Sequence, residues 1–146
     1  MIAFDANVLV YTIDHRDPAR QGRAEAAVSA ALRSGSAFLP LQALAEFQSV
    51  AVRKLGLAPD EALRSVELWS AAALVEGYAL PDLRSAATTQ KAHRLSFWDA
   101  LIWAVCERVG VRTLVTEDFQ DGRTLGRVTF LDPFNPANAG QLGLSG

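Results

Sequence analysis

One cysteine and two histidines in 146 residues leave little for disulfide or soft-metal chemistry. A zinc site wants clustered His and Cys. Here Cys106 follows the apolar run Ile102-Trp103-Ala104-Val105, a packing position, and His15 has no His or Cys neighbour. Loops that cradle nucleotide phosphates are missing, with neither G-x-x-x-x-G-K-S/T nor G-x-G-x-x-G present, and there is no G-x-S-x-G elbow for a nucleophilic serine. The second acid of an aspartyl-phosphate D-x-D pair is replaced by Asn7. No apolar stretch approaches the ~20 residues of a membrane helix, and no charged-then-apolar leader opens the chain, so the expectation is a soluble cytoplasmic protein with no membrane partner. Basic excess is also lacking: 14 Lys+Arg stand against 16 Asp+Glu, a net charge of −2. That argues against a broad basic groove, so any nucleic-acid backbone contact must come from local clusters.

What is present is apolar residue, 50% of the chain, enough for one domain that buries ~70% of its unfolded surface. Ile2-Ala3-Phe4 reads as a buried strand, and Asp5-Ala6-Asn7 opens a helix carrying Val8, Leu9 and Tyr11. Asp17-Pro18 is an N-cap followed by proline at the first helical position, starting an alanine-rich helix that ends near Arg33 before Gly35. A strand at 37–39 is followed by a helix through Leu44, Phe47, Val50 and Leu55, and Pro59-Asp60 opens another with Leu63, Val66 and Trp69. A short strand is expected within 75–80, a helix over 82–94, and a helix over 100–109 entered through the capping sequence Ser96-Phe97-Trp98-Asp99. Strands at 112–116 and 128–131 close the pattern, with Pro133 and the tail 135–146 expected to be peripheral. Strands alternating with helices predict a parallel sheet covered on both faces.

Four acids attach to these elements: Asp5 after the first strand, Glu46 in a helix, Asp99 at a helix start, and Asp118 after the strand 112–116. In an open parallel sheet the carboxyl ends of the strands line one edge, where Asp5 and Asp118 converge. Each acid also has a plain reading: Asp5 and Asp118 as caps or turn residues, Asp99 as the third residue of a capping box, Glu46 as a solvated helix acid. Together they carry more weight, because unit like charges ~4 Å apart repel by ~4 kcal/mol at an effective dielectric near 20. Such a cluster needs a cation, and all-oxygen ligands suit Mg²⁺ or Mn²⁺.

Asn7 and Thr116 stand two residues from Asp5 and Asp118, where short polar groups can orient a carboxylate, and Asp121 is either a turn residue with Gly122 or an auxiliary acid. Glu117 is expected to point to solvent. Arg16, Arg20 and Arg23 have the spacing of one helix face, and Arg53 and Lys54 end the Glu46 helix; all five are candidates for contact with a nucleic-acid backbone or members of a solvated face. Trp69, Trp98 and Trp103 are read as core residues.

The stretches Phe4-Asp5-Ala6-Asn7-Val8-Leu9-Val10-Tyr11, Asp17-Pro18, Ala45-Glu46-Phe47 with Arg53-Lys54, Ser96-Phe97-Trp98-Asp99-Ala100, and Thr116-Glu117-Asp118-Phe119-Gln120-Asp121-Gly122 resemble the PIN-domain nucleases, specifically the VapC-like toxins. The resemblance runs over residues 4–134 and implies a PIN-like nuclease domain at 1–134 with a C-terminal tail. It implies a three-layer α/β/α sandwich around a mainly parallel sheet. Its carboxylates would be Asp5, Glu46, Asp99 and Asp118, holding one or two Mg²⁺ or Mn²⁺ ions that activate water and stabilise charge on an RNA phosphodiester. Endonucleolytic cleavage leaving 5′-phosphate and 3′-hydroxyl ends, a homodimer, and an antitoxin whose tail covers the site are implied likewise. Ala6 departs from the hydroxyl residue many relatives carry there. Two other functions fit the same acids: a metal-dependent phosphoesterase, separable by assay on a small phosphomonoester, and a silent PIN-fold interaction module, which would cleave nothing.

Overall fold

In the computed structural model, which describes residues 1–144, the chain runs β1 (Ile2–Phe4), α1 (Ala6–Tyr11), α2 (Pro18–Ser34), β2 (Ala37–Pro40), α3 (Leu41–Arg53), α4 (Pro59–Ala72), β3 (Leu74–Glu76), α5 (Leu80–His93), α6 (Phe97–Val109), β4 (Thr113–Val115), β5 (Thr124–Leu125) and β6 (Val128–Leu131), then a 3-10 turn at Pro136–Asn138. Local chemistry sets the helix ends. The Asp17 side chain accepts from Arg20 N with Pro18 in the first turn, and Gly35 closes α2 in the left-handed conformation. Ser96 Oγ accepts from Asp99 N to start α6, and Gly110 ends it.

The sheet order is β3-β2-β1-β4-β6-β5, parallel throughout except for β5 against β6. Helices α1 to α4 pack together, and α5 packs on α6. Right-handed crossovers put these groups on opposite faces, because the chain winds outward from β1 to β3 and then returns to lay β4 on the other side of β1. The result is the expected α/β/α sandwich. Strand order reverses between β1 and β4, which opens a crevice at their carboxyl ends. Phe4, Phe38, Leu39, Leu114, Val115 and Phe130 are fully buried in the sheet, as strands covered on both faces require. Cys106 is buried with them, and burial pushes its thiol pKa up, away from reactivity.

Several boundaries move. The edge strand β3 lies at Leu74–Glu76, ahead of Gly77, and α5 starts at Leu80 because Asp82 Oδ2 accepts from Ala79 N at 2.8 Å. α3 stops at Arg53, before Leu55. Strand β5 was not among the expected elements; its signal is the two-residue turn Gly126-Arg127, with Gly126 at φ +59° leading antiparallel into β6. The segment after Asn135 is packed, not peripheral: Leu142 is 3% exposed in the core, and Asn138 is buried. Residues 145–146 of the expected tail lie outside the described residues. Among the described residues, no helix is long and apolar enough to cross a membrane.

Candidate metal centre

Asp5 ends β1 and caps α1, so one residue serves the strand, the helix and the crevice. Its backbone N–H donates to Val115 O at 3.0 Å, tying it to β4, and the residue is 5% exposed. Oδ1 accepts from Ala6 N at 2.7 Å and Oδ2 from the Thr116 hydroxyl at 2.9 Å. Thr116 Oγ1 in turn accepts from Asp118 N at 3.1 Å and Asn7 Nδ2 at 3.4 Å, while Asn7 Nδ2 donates to Asp118 Oδ2 at 2.9 Å. Asn7 and Thr116 thus join the two acids into one hydrogen-bond network. Burial pushes the Asp5 pKa up to about 7 against these hydrogen bonds, and the charges of Asp118 and Glu46 add to the rise. Asp99, in the first turn of α6, is also raised, by burial and by Asp118, with the Ser96 hydroxyl opposing.

One carboxylate oxygen from each of Asp5, Asp99 and Asp118 lies within 4.8 Å of the other two. Unit charges at that separation repel by ~3 kcal/mol at an effective dielectric near 20. Among the described residues, none of the three makes an ion pair with Lys, Arg or His, so the chain itself does not neutralise them. Asn7 Oδ1, beside Asp118, is buried without a hydrogen-bond partner. An all-oxygen set with uncompensated charge and an orphaned acceptor fits a hard divalent cation such as Mg²⁺ or Mn²⁺.

Glu46 stands apart from this cluster. It lines the same cleft as Asp5 and Asp118 but is exposed on the second turn of α3, with Gln42 Nε2 3.3 Å from Oε1. Asp121 is occupied elsewhere: burial opposes its charge, yet hydrogen bonds from Asp132 N, Asn135 and Asn138 hold its carboxyl below the usual range and fasten the segment after β6.

The basic candidates divide. Arg16 precedes α2, so it does not share that helix's face with Arg20 and Arg23; it reaches the cleft but is held by Asp14 through two bonds of 2.9 Å. Asp14, which sequence reasoning passed over, is lowered to about 2 by that partner. Arg20 pairs with Glu117 at 2.7 Å and stacks over Tyr11 and Phe134, so Glu117, itself on the cleft wall, faces a guanidinium rather than open solvent. Arg23 Nε donates to Pro133 O. Arg53 and Lys54 are exposed at the end of α3, and Lys54 lines the cleft; among the described residues neither forms an ion pair. Trp103 and Trp69 pack as expected, whereas Trp98 is 57% exposed, because the first turn of α6 projects it beyond the layer.

A family model described as PIN domain matches residues 2–123. Among solved structures, the chain resembles VapC20 of Mycobacterium tuberculosis, described as a sarcin-ricin-loop-cleaving toxin, at 20% identity and TM-score 0.63, over 78% of this chain and 87% of that one. It resembles DNA-bound VapBC from Salmonella typhimurium at 18% identity and TM-score 0.62, over 90% and 97% of the two chains. It also resembles VapBC2 from Rickettsia felis bound to a promoter DNA fragment, at 14% identity and TM-score 0.63, over 89% and 97%. No curated protein matches. At these identities the structural likeness is one of fold.

Proposed function

Because the chain belongs to the PIN-domain family, we propose that it is a divalent-cation-dependent endoribonuclease and the toxin of a cytoplasmic toxin–antitoxin pair. The observation that carries this reading is the meeting of Asp5, Asp99 and Asp118 oxygens within 4.8 Å at the sheet's switch point, with no ion pair to them among the described residues. Mg²⁺ or Mn²⁺ bound there supplies electrophilic stabilisation of the phosphodiester and lowers the pKa of the attacking water. The chain's own residues prepare the place. Ala6 N–H and Thr116 fix both oxygens of Asp5, and Asn7 holds Asp118 by one oxygen. Asp99 enters from the N-terminal turn of α6, and Glu46 adds negative charge at the rim. Lys54, which forms no ion pair among the described residues, lines the same cleft, where it can meet substrate phosphates. An antitoxin and a second copy of the chain are the proposed protein partners, in keeping with the VapBC complexes among its structural relatives.

The experiment is cleavage-site mapping on total RNA with wild type and Asp5→Asn side by side, in Mg²⁺ and in chelator. Discrete cuts that require both Mg²⁺ and Asp5 are expected. Equal cleavage by Asp5→Asn would end the assignment. Turnover of a phosphomonoester with RNA left intact would move the function to another phosphate ester.

A further inference from the structure

Of the three tryptophans, Trp98 is the one that packing leaves over. Trp103 is 9% exposed and donates its indole N–H to Leu125 O, and Trp69 packs edge-to-face on Phe47 at 4.8 Å. Trp98, 57% exposed, shares a recess with Tyr78, 50% exposed; Gln42, Ala45 and Glu46 complete its lining. Glu46 also lines the acid cleft, so the recess and the cleft share this side chain as a common wall. Gln42 Nε2 donates both to the Trp98 carbonyl at 3.1 Å and to Glu46 Oε1 at 3.3 Å, so one amide sets the aromatic's backbone and the rim carboxylate in a common frame. Trp98 also directly precedes Asp99, a member of the three-oxygen cluster.

Charge divides the surface along α3. The N-terminal half of the helix, through Gln42 and Ala45, lines the aromatic recess, and its C-terminal end reaches Lys54, ~18 Å away by helix rise, with Glu46 between. Among the described residues no cationic side chain lines the recess, and the one charge there, Glu46, is negative. A phosphate is repelled there; a neutral ring with a π-face is not.

We propose that this recess receives an unpaired nucleobase of the RNA, stacked on Trp98 and flanked by Tyr78, next to the phosphate that reaches the candidate metal centre. The proposal rests on the ribonuclease reading and adds to it the part of the substrate gripped outside the metal centre: a single-stranded nucleotide, recognised by stacking. A base pair cannot offer its face in this way, so the site favours single strands or splayed loops.

The test uses Asp5→Asn protein, expected to leave RNA uncut, titrated in Mg²⁺ with a short labelled single-stranded oligoribonucleotide and with the same strand carrying abasic sites. Tryptophan emission is expected to fall as the base-bearing strand binds. Trp98→Ala in the same background should raise Kd by ~5- to 100-fold, Trp98→Phe should restore most of the affinity, and Tyr78→Ala should give a smaller loss. Abasic RNA should bind alike with and without Trp98. Because Trp98 is exposed, its variants are expected to melt with wild type, which circular dichroism checks. Unchanged Kd in Trp98→Ala would overturn the proposal. So would a Trp98→Ala protein that loses self-association in sedimentation while still preferring base-bearing over abasic RNA, since the recess would then be an interface between copies. Cleavage by the wild type is scored separately, so absence of cutting removes the nuclease reading, whereas loss of base-dependent binding removes only this one.

Discussion

The Thr116 hydroxyl donates to Asp5 Oδ2 at 2.9 Å across 111 residues of chain, and both groups are buried at the adjoining ends of β4 and β1. The same oxygen accepts from Asp118 N at 3.1 Å, so one hydroxyl sets the direction of two of the clustered acids. Thr116→Val keeps the shape and deletes the donor. Stability is expected to fall by ~1–3 kcal/mol, the usual consequence of an unsatisfied buried group, and the melting-temperature rise produced by Mg²⁺ should shrink. Urea denaturation with and without Mg²⁺ measures both, and a variant identical to wild type in both would refute the role given to this bond.

Burial raises Asp5 from 3.8 to about 7 in the folded chain. Between these values the native state holds a proton that the unfolded state has released. Stability of the cation-free protein therefore declines from this group as pH rises from about 4 to about 7. Asp5→Asn should flatten that slope. A divalent cation competes with the same proton, so the Mg²⁺-induced rise in melting temperature should be larger at pH 8 than at pH 6. An equal rise at both would show that Asp5 does not titrate in this range or does not bind the ion.

Lys54 and Arg20 make opposite predictions although both were candidates for RNA contact. Lys54 is exposed on the cleft, so Lys54→Gln should reduce the salt dependence of RNA binding by ~0.7 in log–log slope, one phosphate contact on a single strand. Arg20 is engaged by Glu117, Tyr11 and Phe134, so Arg20→Gln should leave the slope unchanged and lower stability by ~1 kcal/mol, a figure reduced for its partial exposure. Electrophoretic titrations over a salt series, with thermal melts, distinguish the two.

Gly126 turns β5 into β6 at φ +59°, where an added Cβ would lie 2.9 Å from Glu107 Oε2. That carboxylate accepts from Arg127 N and Nε, so Gly126→Ala strains the turn and pushes on its clasp together. A loss of ~1–2 kcal/mol or more is expected by denaturant melt, with Mg²⁺ response intact because the turn does not line the cleft. Retained stability would mean the turn relaxes into another geometry.

Much of the fold was legible because its signals are short-range. Asp17-Pro18, Ser96 with Asp99, and the glycines at 35 and 110 mark helix ends through hydrogen bonds made within a few residues. Strand β5 escaped because two residues carry no periodicity, and Leu142 because a glycine-rich segment reads as loop until a core residue is found beneath it. At the site, Asp5 and Asp118 were placed by strand ends alone. Glu46 was expected inside the cluster and stands at its rim, since helical position fixes a face but not the reach of one side chain across a crevice. Trp98 likewise looked like core by composition and is exposed by its place in the first turn of α6.

The amino-acid order by itself determined where strands and helices alternate, that the sheet is chiefly parallel, and that acids follow β1 and β4 at their carboxyl ends; each depends on hydrophobic period, capping and turn chemistry acting over a few residues. Only the tertiary structure decided which carboxylates meet, that Arg20 and Arg16 are taken by Glu117 and Asp14, that Asp121 fastens the C-terminal segment, and that Trp98 stands beside the acids. These partnerships depend on strand order and helix crossing, which place the backbones to within an ångström or so, and hydrogen bonds and charge pairs change on that same scale.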